Sequence, residues 1–300
     1  MRPLIISCLL FACAACDSGP GPGEKFQSNL DQVVAADLWN ASNRGRTVFR
    51  DDGFFAIPDT VQRVWIDLGA YKLTVSKHAL SANGDMAVIA IEPMSEHWTL
   101  WPDNPRLIGV PVAISLQRGL LELNVNEADG TNSLLQTVPG EQLDEETERP
   151  PSHLSAEFIK GIADKMRTLE VRSVPGVRLE DVIERIPPHL SIEFLKIDIQ
   201  GLDLQALKSA GQHLRRVKRV QAEIMNLGLY EKDGAESMSS EQEFLDYMES
   251  MGFSLVGETP TTPGREWLDA FYANDRWDKK ELMKPLGRGV WWPGLPPKPR

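Results

Sequence analysis

Three acidic residues stand where apolar, strand-like runs of the sequence end, and this placement indicates a ligand site. Asp67 and Asp198 each end such a run and are followed closely by a glycine, and Glu92 closes a third run. Runs of this kind are typical of buried parallel strands. Because the carboxyl ends of parallel strands meet at one edge of an open α/β sheet, where ligands bind, we expect these carboxylates to line a cofactor site.

The charge of these residues favours one class of cofactor. A dinucleotide and S-adenosylmethionine both suit this edge of a sheet, but a pyrophosphate binds bare backbone amides, usually in a G-x-G-x-x-G sequence that this chain lacks. S-adenosylmethionine carries an ammonium and a sulfonium, so a carboxylate such as Asp67 attracts it. Gly69 allows the backbone to approach a ligand closely, and Glu92 suits the ribose hydroxyls. The residues favour the methyl donor, and the missing glycines disfavour a nicotinamide oxidoreductase.

The elements that must position these residues follow an α/β order. Strand-like and helix-like segments alternate over residues 63–224, which predicts a doubly wound, mostly parallel sheet. Residues 107–114 are predicted to form one strand, and residues 30–39 an amphipathic helix. The last two strands, over residues 253–256 and 268–273, have no helix between them, so we expect an antiparallel closing strand.

Composition excludes several kinds of function. The net charge of −11 argues against a nucleic-acid partner, because phosphate neutralisation needs clustered basic residues. The three cysteines, Cys8, Cys13 and Cys16, all lie near the start of the chain, so disulfides, cysteine-ligated zinc and a thiol nucleophile are excluded from the remainder. The five histidines lack metal-ligand spacing and are interpreted as ordinary surface or core residues. We therefore expect no metal site.

A series of short motifs, in order along the chain, resembles the FkbM family of methyltransferases. The most specific is Leu195-Lys196-Ile197-Asp198-Ile199-Gln200-Gly201, followed by Leu207-Lys208-Ser209-Ala210. The others are Ile66-Asp67-Leu68-Gly69-Ala70, Ile91-Glu92-Pro93, Gly130-Thr131-Asn132-Ser133-Leu134, Val177-Arg178-Leu179-Glu180-Asp181-Val182-Ile183 and Val220-Gln221-Ala222-Glu223-Ile224. The resemblance implies a seven-stranded, Rossmann-like class I methyltransferase fold, S-adenosylmethionine as cofactor, and methylation of a hydroxyl oxygen.

The resemblance also implies roles for individual residues. Asp67, Gly69, Ala70 and Tyr71 match the first cofactor-binding loop, and Glu92 matches the acid that binds the ribose. Asp198 matches the acid after the fourth strand of that fold and is the candidate catalytic residue, positioning the acceptor or acting as its base.

Other residues near these strand ends have structural interpretations. Glu223 matches an acid that ends the fifth strand and is an open candidate. Gln200 and Asp203 are expected to support the turn and the start of the next helix. Trp98 and Trp101 are expected to pack a helix on the sheet.

One loop departs from the family pattern. The family reads Asp-x-Gly-Ala-Asn-x-Gly, whereas this chain has Tyr71 for the asparagine and Leu73 for the second glycine. Side-chain bulk at Leu73 is expected either to shift the loop or to alter the pocket. Two hypotheses follow: a methyltransferase acting on a hydroxyl of a sugar, lipid or small metabolite, and a catalytically degenerate binding protein on the same scaffold.

Residues 1–16 have the pattern of a targeting segment. Arg2 precedes an apolar run that is too short to span a bilayer, and Cys16 suits a lipoprotein signal. We expect export or entry into the secretory pathway, with membrane association only through this segment, and a cytoplasmic protein if the segment is not a signal. The further divisions are a linker at 17–28, a helical extension at 29–62, the methyltransferase domain at 63–275 and a Pro/Gly-rich tail at 276–300.

Overall fold

The computed structural model describes residues 33–140, 154–230 and 239–282, apart from positions 263 and 266, together with position 30. Within these residues no helix has the length and apolar character needed to span a membrane. The expected targeting segment, the linker and most of the tail lie outside the described residues.

Ten strands form two sheets in the described part of the chain. They are β1 (Arg63–Leu68), β2 (Met86–Ile91), β3 (Leu107–Val110), β4 (Ala113–Ile114), β5 (Gly119–Asn126), β6 (Thr168–Val177), β7 (Ser191–Ile197), β8 (Arg219–Met225), β9 (Phe253–Pro260) and β10 (Trp267–Asn274). The larger sheet has the order β3-β2-β1-β7-β8-β10-β9. Its strands are parallel except β10, which is antiparallel to both neighbours. The predicted doubly wound, seven-stranded sheet with an antiparallel closing strand is confirmed.

The single strand predicted over residues 107–114 is wrong. Pro111 separates β3, which belongs to the large sheet, from β4, which pairs with β6 in a second sheet of order β4-β6-β5. Proline has no backbone N–H to donate to a ladder, so the strand ends there. The chain then leaves the large sheet until β7, and the smaller sheet stands beside the carboxyl ends of the parallel strands.

Eight α-helices have both ends in the described residues: one precedes β1, six lie between strands and one follows β10. They are α1 (Ala36–Asn43), α2 (Ser76–Ala82), α3 (Ser95–Trp98), α4 (Ala156–Lys165), α5 (Leu179–Ile183), α6 (Asp203–Ser209), α7 (Glu241–Ser250) and α8 (Lys279–Leu282). The helix expected over residues 30–39 is interrupted: positions 30 and 33 are helical and the Val34 N–H donates to the Leu30 carbonyl at 3.0 Å, but Ala35 is extended and α1 begins after it. α1 then runs on to Asn43, whose side-chain amide donates to the Gly109 carbonyl of β3 at 2.8 Å.

Apolar residues cover both faces of the large sheet, as a sheet buried on two sides requires. On β1, Val64, Ile66 and Leu68 point into one cluster, whereas Trp65 points into the other, beside Phe194 of β7. This alternation leaves Asp67 on the Trp65 face, where β1 ends. The carboxyl ends of β1, β2 and β7 are adjacent, so the loops that follow them form one rim.

Candidate functional site

A cleft of about 310 Å³ opens at the carboxyl edge of β1, β2 and β7. Ligand pockets commonly measure roughly 300–1,000 Å³. All six residues selected from the sequence line it: Asp67, Gly69, Ala70, Tyr71, Glu92 and Asp198. The strand order places the apolar residues after β3, which are Val112, Ala113 and Ile114, at the end opposite Asp198. The cleft therefore has one apolar end and one acidic end.

Gly69 brings two loops of the cleft into contact. It has φ +72°, and a Cβ at this position would lie 1.9 Å from the backbone carbonyl oxygen of Asp198. Its N–H and that of Ala70 donate to the Ile91 carbonyl at 3.1 and 3.0 Å. A glycine is therefore needed here for the packing of these two loops, and because Gly69 also lines the cleft, its close approach to a ligand stays a prediction.

The first loop keeps a left-handed backbone although it lacks the family's second glycine. Tyr71 and Leu73 have φ +46° and +56°. The Leu73 side chain is fully buried in the cluster that contains Trp65 and Trp98, and it does not line the cleft. The expected bulk at Leu73 is thus directed into the core, whereas the Tyr71 side chain lies at the cleft.

We expect Leu73→Gly to be less destabilising than Leu73→Ala by about 1 kcal/mol, since a left-handed backbone costs a non-glycine residue about 1–2 kcal/mol. Both variants should lose roughly 2–5 kcal/mol of unfolding free energy relative to the wild type, because both remove a buried leucine side chain. Urea denaturation of the wild type and of both variants measures the order of their stabilities. An alanine variant more stable than the glycine variant contradicts the left-handed backbone at this position.

Glu92 is held rigidly at the end of β2. Its Oε2 accepts the Tyr71 N–H and its Oε1 accepts the Met94 N–H, each at 2.9 Å. The indole N–H groups of Trp98 and Trp101 donate to the carbonyls of Glu92 and Tyr71 at 2.9 and 2.7 Å. Both tryptophans are buried, as expected, and they also fix the two loops that flank the cleft. A carboxylate has about four acceptor positions, so Glu92 retains capacity for a ligand.

His97 is the functional candidate that the sequence interpretation missed. It is 4% exposed, lines the cleft, and lies between two carboxylates, with Nε2 3.0 Å from Asp129 and Nδ1 3.4 Å from Glu92. Burial opposes protonation of the ring, but Glu92 and Asp129 outweigh it and raise the pKa of His97. Asp129 also accepts the Tyr71 hydroxyl at 2.8 Å and the Lys72 ammonium at 2.7 Å. The loop after β5 is thereby tied to the first loop.

The acidic end of the cleft is organised around Asp198. Its Oδ2 accepts from Lys196 at 3.3 Å, and its Oδ1 accepts from the Gln200 amide at 2.9 Å. The same amide reaches Glu223 at 3.3 Å, and the Tyr230 hydroxyl donates to the Gln200 oxygen at 3.2 Å. Gln200 therefore supports Asp198 as well as the turn.

Asp203 has the structural role expected for it. It begins α6, is 2% exposed, and accepts the backbone N–H groups of Ile199 and Glu223 at 3.4 and 3.2 Å. Burial, and then the charge of Asp198, raises the pKa of Asp203 to about 7. The same two causes raise the pKa of Glu223 to about 9.

Stability should therefore fall as the pH rises. The folded protein keeps the Glu223 proton up to about pH 9, whereas the unfolded chain releases it near the ordinary value of 4.5. The folded state loses stability across that window, and Glu223→Gln should remove this contribution, gaining roughly 1–3 kcal/mol relative to the wild type at high pH. Urea denaturation of the wild type and of Glu223→Gln, at the acidic and at the alkaline end of this pH window, measures the difference in unfolding free energy. An equal pH-dependent loss in both proteins contradicts the assignment to Glu223.

The described residues contain no group of three or more His, Cys, Asp or Glu side chains arranged to hold a metal ion. At the cleft, Glu92 accepts backbone N–H groups and Asp198 accepts from Lys196 and Gln200.

Comparison with known proteins gives one family and several distant structures. Among solved structures, the chain is similar to the antibiotic-resistance methyltransferase Kmr, with 12% identity, 72% of this chain and 89% of that chain covered, and a TM-score of 0.36. It is also similar to a chain of the fibrillarin/Nop5p complex, with 12% identity, 72% and 74% covered, and a TM-score of 0.35. No curated protein matches the chain significantly. The family model described as the methyltransferase FkbM domain matches residues 67–255, more than half of the chain.

Proposed function

Because this chain belongs to the FkbM methyltransferase family, we propose that its cleft binds S-adenosylmethionine and serves methyl transfer to a hydroxyl oxygen. Family and fold imply S-adenosylmethionine-dependent methylation in general. The observation that carries the proposal is the convergence of Asp67, Glu92 and Asp198 on one cleft that also has an apolar lining.

The residues present suit this donor. Val112, Ala113 and Ile114 offer an apolar surface to the adenine, and Glu92 lies beside them to accept hydrogen bonds from the ribose hydroxyls. Asp67 Oδ1 is buried without a hydrogen bond, its nearest cation being Lys196 Nζ at 3.7 Å, so an ammonium group of the donor supplies the hydrogen bond that this oxygen lacks. When bound, the cofactor supplies a methyl group already activated by the sulfonium.

Asp198 is the residue proposed to meet the acceptor. Its side chain is 37% exposed, so it can contact a molecule that enters the cleft from solvent. Lys196 and Gln200 fix its two oxygens. A carboxylate held in this way can accept a hydrogen bond from a hydroxyl and take its proton. The acidic surroundings favour an uncharged sugar, lipid or small metabolite over a phosphorylated acceptor.

A binding protein without catalysis is the second candidate, and Tyr71 favours it. The tyrosine ring lies 4.5 Å from the His97 ring, and its hydroxyl is bonded to Asp129 across the cleft rim. If this bridge occupies the position of the donor, the wild type binds S-adenosylmethionine weakly, and Tyr71→Asn with Leu73→Gly strengthens binding. Equal binding before and after the double substitution argues against a degenerate loop.

Isothermal titration of the whole protein with S-adenosylmethionine and S-adenosylhomocysteine tests the proposal. We expect saturable binding to the wild type. Binding to Glu92→Gln should be about tenfold weaker, because the substitution removes roughly one charge-assisted hydrogen bond to the ribose. The matched control is Glu122→Gln, because Glu122 is exposed on β5 and outside the cleft lining. Absence of heat with the wild type, or equal losses in both variants, contradicts the proposed site.

Export is proposed from the sequence of residues 1–16, which lie outside the described residues. We also propose that the protein contacts a membrane only through this segment and that it has no nucleic-acid partner. Cell fractionation of the full chain and of a chain without residues 1–16 tests it. The full chain should leave the cytoplasm and the shortened chain should remain there, whereas identical distributions contradict a targeting role.

A further inference from the structure

Lys196 is a buried cation at the boundary between the two halves of the cleft. It lies on β7, is 9% exposed, and places Nζ 3.3 Å from Asp198 Oδ2 and 3.7 Å from Asp67 Oδ1. Several elements packed around Lys196 carry acidic side chains that interact with its charge. These are Asp67 of β1, Asp198, Asp203 of α6, Glu223 of β8 and Asp269 of β10. Burial opposes the charge of Lys196, but these carboxylates outweigh it and raise its pKa, so it remains an ammonium.

Asp67 is the carboxylate most dependent on this cation. It is 2% exposed, its Oδ2 accepts the Ser76 hydroxyl at 2.5 Å, and its Oδ1 has no hydrogen-bond donor. Burial has the largest effect and leaves the pKa of Asp67 raised, although Lys196 and Ser76 lower it; the charge of Asp198 adds to the rise. Without Lys196, the unopposed burial favours the neutral carboxylic acid.

We propose that Lys196 is a positioning residue for the methyl donor, because its ammonium, 3.7 Å from Asp67 Oδ1, is the countercharge that favours a carboxylate at the place where the donor's own ammonium binds. The inference rests on the proposed function. Lys196 also joins Asp67 to Asp198 and so fixes the donor side of the cleft relative to the acceptor side. It is not a base, because the surrounding carboxylates hold its proton.

The test is the pH dependence of S-adenosylhomocysteine binding, measured by calorimetry on the wild type and on Lys196→Met. At neutral pH we expect Lys196→Met to bind at least about tenfold more weakly, equivalent to one pKa unit of lost ionisation at Asp67. As the pH rises, Asp67 ionises without help, and the ratio of the two dissociation constants should fall toward unity. Titration of the ligand's amine affects both proteins equally and cancels in that ratio. Lys196→Arg should retain binding.

A double-mutant cycle with Asp67→Asn separates this role from a merely structural one. The Asp67→Asn variant has no carboxylate at this position for Lys196 to support. Adding Lys196→Met to it should therefore weaken ligand binding little, and the ratio of the two dissociation constants should not change with pH. Ser76→Ala provides a milder second variant if Lys196→Met does not fold, with a smaller loss in the same direction. A ratio that is constant with pH, or additive losses in the cycle, overturns the inference while leaving the proposed function intact. Failure of the wild type to bind the ligand overturns both.

Discussion

Gly69→Ala should lower the rate of methyl transfer at least about a hundredfold and destabilise the protein. An added Cβ would lie 1.9 Å from the Asp198 carbonyl oxygen, and φ at this position is +72°. The left-handed backbone and the forced displacement together cost roughly 2–5 kcal/mol. The clash separates the loop that carries Asp67 from the loop that carries Asp198. Displacement of reacting groups by about 1 Å can cost about a hundredfold in rate, so we expect at least that loss.

Thermal unfolding and transfer from methyl-labelled S-adenosylmethionine to an extract of the producing cells measure the two effects of Gly69→Ala. Gly84→Ala is the matched control, because Gly84 is exposed, has no positive φ, and has no atom within 4 Å of an added Cβ. It should change stability by at most about 0.5 kcal/mol. A Gly69→Ala protein with wild-type stability and activity would show that the two loops do not meet as described.

Asp198→Asn should lower the rate of transfer by about a hundredfold or more and leave donor affinity nearly unchanged. The amide keeps the shape of the side chain but cannot accept a proton, and general-base residues contribute about 10²–10⁴-fold. Donor affinity should stay within about threefold, because the role proposed for Asp198 is toward the acceptor and its loss would fall on kcat.

Transfer to the same extract, together with calorimetry using S-adenosylhomocysteine, distinguishes these two effects at Asp198. Asp246→Asn makes the same chemical change on the exposed face of α7 and should leave both quantities unchanged. If Asp198→Asn transfers methyl groups at the wild-type rate, Asp198 does not act on the acceptor. If it loses donor binding instead, the residue belongs to the donor half of the cleft.

The fold was largely predictable from sequence because apolar strands, helical spacing and glycine-bounded turns all indicate the same arrangement. The strand ends at Asp67, Glu92 and Asp198 predicted where a cleft would open, since parallel strands bring their carboxyl ends together. The end of β3 at Pro111 could also have been predicted, because proline cannot continue a ladder of hydrogen bonds. A single strand was predicted because the apolar run continues past the proline.

The contacts that organise the cleft were less predictable, because they depend on residues far apart in sequence. His97 lies between two carboxylates only because the folded chain brings the loop that carries Asp129 close to Glu92. The direction of the Leu73 side chain depends on a backbone angle that the residue type does not reveal. Lys196 is part of the most specific motif, but its place between Asp67 and Asp198 required the pairing of β1 with β7.

A crystal structure of the protein soaked with S-adenosylhomocysteine would show whether the cleft holds the cofactor. We expect the adenine against residues 112–114, the ribose hydroxyls at the Glu92 carboxylate, and the amino-acid end beside Asp67, with Tyr71 at the rim. Ligand density at another surface, or a cleft closed by Tyr71 at saturating ligand, would contradict this expectation.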